Sequence, residues 1–209
     1  MPAFSIASVH TEFVGAQNRT ASFLTSAQTF QLPGGRSVHV RDVEEIAGLA
    51  LLKMTLAWES FVEETFLRYL CGARSAAGVA PTLLAPKYLN LQAAFKSLVG
   101  GAQYLGWHPD TTVKRAAKYF DPAGDPFLAP VGGAKSDLIE MADVRNRIAH
   151  RSDHSVQAFQ DVVRSHFGFV PRGMTPGRFL LAPLPTGVTA FDHYAAQLTA
   201  TAHLVANYV

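Results

Sequence analysis

Between Arg41 and Leu70 the chain runs for thirty residues without a proline, and Gly48 is the only weak breaker. At about 100° per residue, Val43, Ile46, Leu49, Leu52, Leu56, Trp58, Phe61, Phe66, Leu67 and Leu70 leave almost no side of such a helix polar. A helix that is apolar nearly all round has to be covered on more than one side, either at the centre of a bundle or partly against a second subunit. This one segment directs the chain towards helix packed on helix.

The other segments agree. Phe4, Val9, Phe13, Phe23, Leu24, Ala27 and Phe30 mark one amphipathic helix in the first thirty residues, ended by Leu-Pro-Gly-Gly at 32–35. After a Gly-, Ala- and Pro-containing connection at 72–86, a helical pattern returns over Tyr88–Val99, and Pro109-Asp110 starts a short helix ending near Phe120. Residues 121–133 hold three prolines and three glycines and read as an irregular loop. A helix over 135–150 follows, then one capped by Ser152 or Asp153 and running to about Phe167. Four prolines break the stretch 170–186, where a short strand is expected at 178–181 or a hairpin across the stretch, before a last helix over 188–207. The 209 residues, 48% of them hydrophobic, suffice for one sizeable core. The expected fold is a single all-α domain spanning 1–209, in which 1–35 is a helix-and-loop extension to a core of 36–209.

Composition narrows the setting. One cysteine, Cys71, excludes an intramolecular disulfide framework and fits a reducing, cytoplasmic environment, with Cys71 as a small apolar residue. No lysine or arginine precedes Arg19 and no apolar run reaches spanning length, so neither a secretory signal nor a membrane partner is expected. The net charge is +2, unevenly placed: residues 145–178 carry six arginines against two aspartates, a local +4, and the remainder carries −2. That concentration suits an anionic ligand such as a nucleic acid or nucleotide, and it equally fits a solvated arginine-rich face.

Inside the basic region lies Arg145-Asn146-Arg147-Ile148-Ala149-His150. Arg145 falls among Leu138, Met141, Ala142, Ile148 and Ala149 on one helix face, with Asp143, Asn146 and His150 forming a polar stripe beside it. A guanidinium there calls for a carboxylate partner, a wet dimer cleft or a bound anion. Glu59, on the face of the long helix shared with Leu52, Leu56 and Phe66, is the candidate carboxylate; Glu63, one turn on, could substitute. Asp143 is placed to pair with Arg147. Asn146 and His150 project from one side, and Arg145 and His150 flank a groove about 140° apart. An imidazole can handle the proton of a ribose 2′-hydroxyl while a guanidinium stabilises a phosphorane, chemistry that requires no metal. The same spacing also fits a structural ion pair ending in a polar helix terminus. His150 and His154 have a metal-pair spacing, but the Ser152-Asp153 break between them destroys a shared face.

Arg-Asn-Arg-Ile-Ala-His resembles the R-N-x-x-x-H motif of the HEPN superfamily. Trp58-Glu59-Ser60-Phe61 on the long helix, and Thr175-Pro176-Gly177-Arg178-Phe179-Leu180 before a terminal helix, are most similar to its bacterial RiboL-PSP-HEPN branch, over about Arg41 to Val209. The resemblance implies a HEPN-like helical bundle and a homodimer whose two motif helices line a basic cleft. It implies a metal-independent endoribonuclease, without cofactor, acting as a toxin or in phage defence and leaving a 2′,3′-cyclic phosphate. His150 would activate or orient the 2′-hydroxyl, Arg145 would stabilise the transition state, Asn146 would orient the pair, and Glu59 is carried over as a further site residue. The partners implied are RNA and an antitoxin or activator protein. One branch pairs with a nucleotidyltransferase antitoxin and carries a tyrosine two positions after the histidine; Ser152 stands there in this chain, against that particular antitoxin. A catalytically silent module that binds RNA, a nucleotide or a protein is the alternative.

Overall fold

The computed structural model describes residues 5–100 and 105–209, so Phe4 lies outside the described residues. The fold is all-α. In chain order the elements are α1 (Ile6–Thr29), β1 (Gln31–Leu32), β2 (Arg36–Ser37), α2 (Val40–Leu70), α3 (Leu91–Val99), α4 (Pro109–Tyr119), α5 (Leu128–Gly133), α6 (Lys135–Ala149), α7 (Asp153–Phe167), α8 (Pro176–Leu181) and α9 (Ala190–Ala206). The long Pro-free segment is α2, as its pattern requires. Contacts divide the chain into one unit of Met1–Val14, Trp58–Ser136 and Leu198–Val209 and another of Gly15–Ala57 and Asp137–Gln197.

The first unit is built around Phe66, which is fully buried. Its ring centroid lies 5.0 Å from that of Phe127, 5.2 Å from Phe120 and 5.4 Å from Trp107, tilted or edge-on distances at which aromatic pairs attract. Two of its polar side chains are matched across elements: the Tyr69 hydroxyl donates to the Val205 carbonyl at 2.7 Å, and the Trp107 indole donates to Glu63 Oε2 at 2.9 Å. Asp125 accepts the backbone N–H groups of Phe127 and Leu128, opening α5. The region 121–133 is therefore more regular than its prolines and glycines imply, holding a 3₁₀ turn at Pro122–Gly124 as well as α5. Pro122 sits in the first turn of its 3₁₀ element, where no N–H is needed.

In the second unit, Ala47, Ala50, Leu51 and Met54 of α2 are buried, as are Leu138, Met141 and Val144 of α6, Phe159, Val162 and Val163 of α7, and Phe179 and Leu180 of α8. Phe159 meets Phe179 edge-on at 5.9 Å. Leu49 and Leu56 stay more than half exposed, so the apolar circumference of α2 is covered only in part within this unit. Two expectations are corrected. Leu-Pro-Gly-Gly is the tip of a two-stranded antiparallel hairpin, in which Gly34 and Gly35 take positive φ values of 86° and 74°. Residues 178–181 belong to helix α8, and the extended pairing in that region is the single bridge Pro183–Thr189. Thr175 caps α8 by accepting the Arg178 N–H, and Pro176 fits the first turn, so Thr-Pro-Gly-Arg is a helix start.

Candidate functional site

Helix α6 carries the motif on its last two turns. Asp137 in its first turn and Arg147 in its last suit the helix dipole. Its buried residues Leu138, Met141 and Val144 define the core-facing side, and exposure rises along the last turn until Ala149 and His150 are open to solvent. Arg145 shares the direction of Met141 and Leu138 but stands where this side leaves the core, so it is half-buried. The apolar stripe read from sequence is shifted: Val144 belongs to it and Ala149 does not. Arg145 Nη1 donates to Asn146 Oδ1 at 3.0 Å, joining the first two motif side chains directly.

His150 is held through its backbone. Its N–H donates to the Asn146 carbonyl at 2.8 Å, and its own carbonyl accepts from Arg147 Nη1 at 3.1 Å. The hydroxyl of Ser155, a buried residue, lies 3.2 Å from the same carbonyl and 2.8 Å from the Ser152 carbonyl, sharing its proton between them. Of the two candidate caps, Ser152 is the one that caps α7, accepting the Ser155 N–H. The backbone at the end of the motif is thus fixed by three donors or acceptors while the imidazole stays exposed. Sequence reading missed Arg147 and Ser155 in this role; the signal available was a serine three residues into a capped helix.

Beside the end of α6 opens a cavity of about 550 Å³, between it, the start of α2 and the start of α8. Arg41, Arg147 and Arg151 border it together with Glu44 and Glu45, over apolar atoms of Leu49 and Ile148. Gly177 permits the close approach of two of these elements, whereas Gly48 leaves room for an ordinary contact. A Cβ on Gly48 would lie 3.7 Å from Ile148, and one on Gly177 would fall inside the Glu44 carbonyl. Thr175, the α8 cap, donates its hydroxyl to Glu44 Oε2 at 2.9 Å.

The opposite character appears along the first half of α6, where a cleft of about 390 Å³ is lined by Glu140, Asp143, Asp161 and His154. Nearby, His166 Nε2 bonds Glu140 at 2.8 Å and His193 Nε2 bonds Asp137 at 2.8 Å. Burial, reinforced by the Glu140 and Asp137 carboxylates, pushes the Tyr194 hydroxyl far up, so it keeps its proton. These acidic positions, Asp137, Glu140 and Asp143, recur three residues apart on α6, a spacing legible in the sequence. No group of three His, Cys, Asp or Glu side chains among the described residues is arranged to hold a metal ion, and no helix among them is long and apolar enough to cross a membrane.

Arg145, Asn146 and His150 all lie in the second unit; Glu59, half-buried on α2, belongs to the first. Glu63, its alternate, is engaged by the Trp107 indole. Compared with family models, curated proteins and solved structures, the chain matches none.

Proposed function

We propose that the chain is a metal-independent endoribonuclease that cleaves RNA by attack of a ribose 2′-hydroxyl on the adjacent phosphorus, of the HEPN kind its motif resembles. The observation that carries this reading is the Arg145–Asn146 hydrogen bond next to an exposed imidazole whose backbone is pinned at the helix end. A guanidinium has five N–H donors, so the bond to Asn146 orients it and leaves donors for phosphate oxygens. His150 takes the 2′-hydroxyl proton as O2′ bonds to phosphorus; the P–O5′ bond breaks, O5′ takes a proton from water and leaves as a hydroxyl, and a 2′,3′-cyclic phosphate remains. Arg145 neutralises the charge gathering on the phosphorane. The working enzyme is a homodimer in which two motif helices line one cleft. Its setting is a toxin–antitoxin pair or phage defence in the cytoplasm, with an antitoxin or activator protein as partner.

The test is incubation of mixed cellular RNA with the purified protein in EDTA. Wild type is expected to release fragments ending in a cyclic phosphate, and Arg145→Ala and His150→Ala to be slower by at least about a hundredfold while remaining folded. Cleavage by both variants at the wild-type rate sinks the assignment. Saturable RNA binding without cleavage by any form supports the silent module instead.

A further inference from the structure

The cavity between the starts of α2 and α8 and the end of α6 is left unused by the chemistry above. We infer that it is a nucleotide subsite, which holds one nucleotide of the RNA strand beside the scissile bond and favours a base bearing an amino group. The ligand's identity as RNA rests on the ribonuclease reading; the existence of the subsite does not.

The cavity's volume of about 550 Å³ is within the range of small-ligand sites, roughly 300–1,000 Å³. Among the described residues, none of the guanidiniums of Arg41, Arg147 and Arg151 makes a salt bridge, although two glutamates border the same space. Arg147 spends one donor on the His150 carbonyl, so a phosphate taken by its remaining N–H groups lies next to the residue that handles the ribose. Arg41 and Arg151 are exposed residues at the rim, and forked guanidiniums suit phosphate oxygens.

The remaining lining has the complementary chemistry for a base. Leu49 and Ile148 supply an apolar surface for its face, and a carboxylate accepts hydrogen bonds without donating any. Glu44 is held in place by Thr175, and Glu45 is exposed at the edge. Guanine places a ring N–H and an amino group side by side, a match to the two oxygens of one carboxylate. A ligand that carries both an anion and N–H donors satisfies the arginines and the glutamates that line the cavity. A peptide could also offer both charges, but the sharing of Arg147 between the cavity and the His150 carbonyl favours the strand on which His150 would act.

The experiment measures binding of fluorescent 2′-O-methyl oligonucleotides by anisotropy across a salt series. These strands lack the attacking hydroxyl and cannot be cleaved, so binding is read apart from catalysis. Wild type should bind a guanine-containing strand, and Arg41→Ala and Arg151→Ala should each weaken it about tenfold and reduce the salt slope by about one. Replacing each guanine by inosine, which lacks the amino group, should weaken binding several-fold in wild type but not in Glu45→Ala. Arginine variants that bind like wild type with the same slope overturn the subsite, and an inosine strand that binds equally well overturns the base assignment. If wild type binds none of these strands, the inference fails. Cleavage of natural RNA alongside arginine-indifferent binding sinks the subsite alone, and arginine-dependent binding with no cleavage sinks the ribonuclease alone.

Discussion

At the scale of single residues, the end of the motif depends on a few hydrogen bonds that converge on backbone atoms. The His150 carbonyl would be an unsatisfied acceptor at a helix terminus without Arg147 and Ser155, and the first N–H groups of α7 would be unsatisfied donors without Ser152. Removing the buried Ser155 hydroxyl deprives two carbonyls of a donor, a loss of about 1 kcal/mol. Ser152→Ala removes a cap worth about the same, whereas Ser152→Gly, a residue tolerated at this position, costs only a few tenths. For a chain of this size, 1 kcal/mol lowers Tm by roughly 2–4 °C. Thermal denaturation should therefore rank the three variants with Ser155→Ala and Ser152→Ala well below Ser152→Gly. A Ser155→Ala protein melting with wild type would show that the Arg147 guanidinium holds the carbonyl by itself.

At the scale of elements, helices with strong periodicity and clear ends were legible. The sequence bounds for α2, α6 and α7 fall within one or two residues of the observed ones, because Pro-free apolar periodicity and the Ser152 cap are local signals. The errors arose where a proline or glycine had two meanings. Pro176 begins a helix rather than breaking one, and Gly132 and Gly133 lie inside α5. The motif was legible as a pattern, but the cavity beside it was not, since Arg41, Glu44 and Glu45 come from a helix about a hundred residues earlier and no spacing rule brings them to Arg151. Gly177 is the clearest sign of that approach. Its missing Cβ is what lets α8 lie against the backbone of α2 at Glu44, so Gly177→Ala forces the two elements apart at an overpacking cost of about 1–3 kcal/mol. Gly132→Ala is the control: its Cβ would meet open space in a helix, where alanine is favoured over glycine by up to about 1 kcal/mol. Chemical denaturation should move the two midpoints in opposite directions. A Gly177→Ala midpoint at or above wild type would mean that α8 is free to shift.

At the scale of the whole molecule, charge and stability are linked through pH. His10 lies on α1 in the first unit, its ring 5.8 Å from that of His203 and 6.3 Å from that of Phe61. Burial, and then the neighbouring His203, hold its pKa below the usual histidine value. The folded chain therefore keeps His10 neutral at a pH where the unfolded chain has begun to protonate it. The unfolded state binds more protons in that interval, so the stabilisation is present above about 6.5, the unfolded value, and is lost as pH falls below it. Two carboxylates act at lower pH and with opposite signs. Asp110, lowered chiefly by its hydrogen bond from Lys135, stabilises above the usual carboxylate range and loses that contribution on acidification; Asp125, raised by burial, regains stability as it takes up its proton. Between pH 7.5 and 5.5 the His10 effect is separable from both. His10→Phe keeps an aromatic ring against Phe61 and removes the titrating group. Its Tm should hold up better than that of wild type as pH falls through this interval, so the variant gains on wild type with each step towards acid. If the two Tm curves stay parallel from pH 7.5 to 5.5, His10 titrates alike in the folded and unfolded chains, and the burial of its ring has no bearing on how the protein responds to acid.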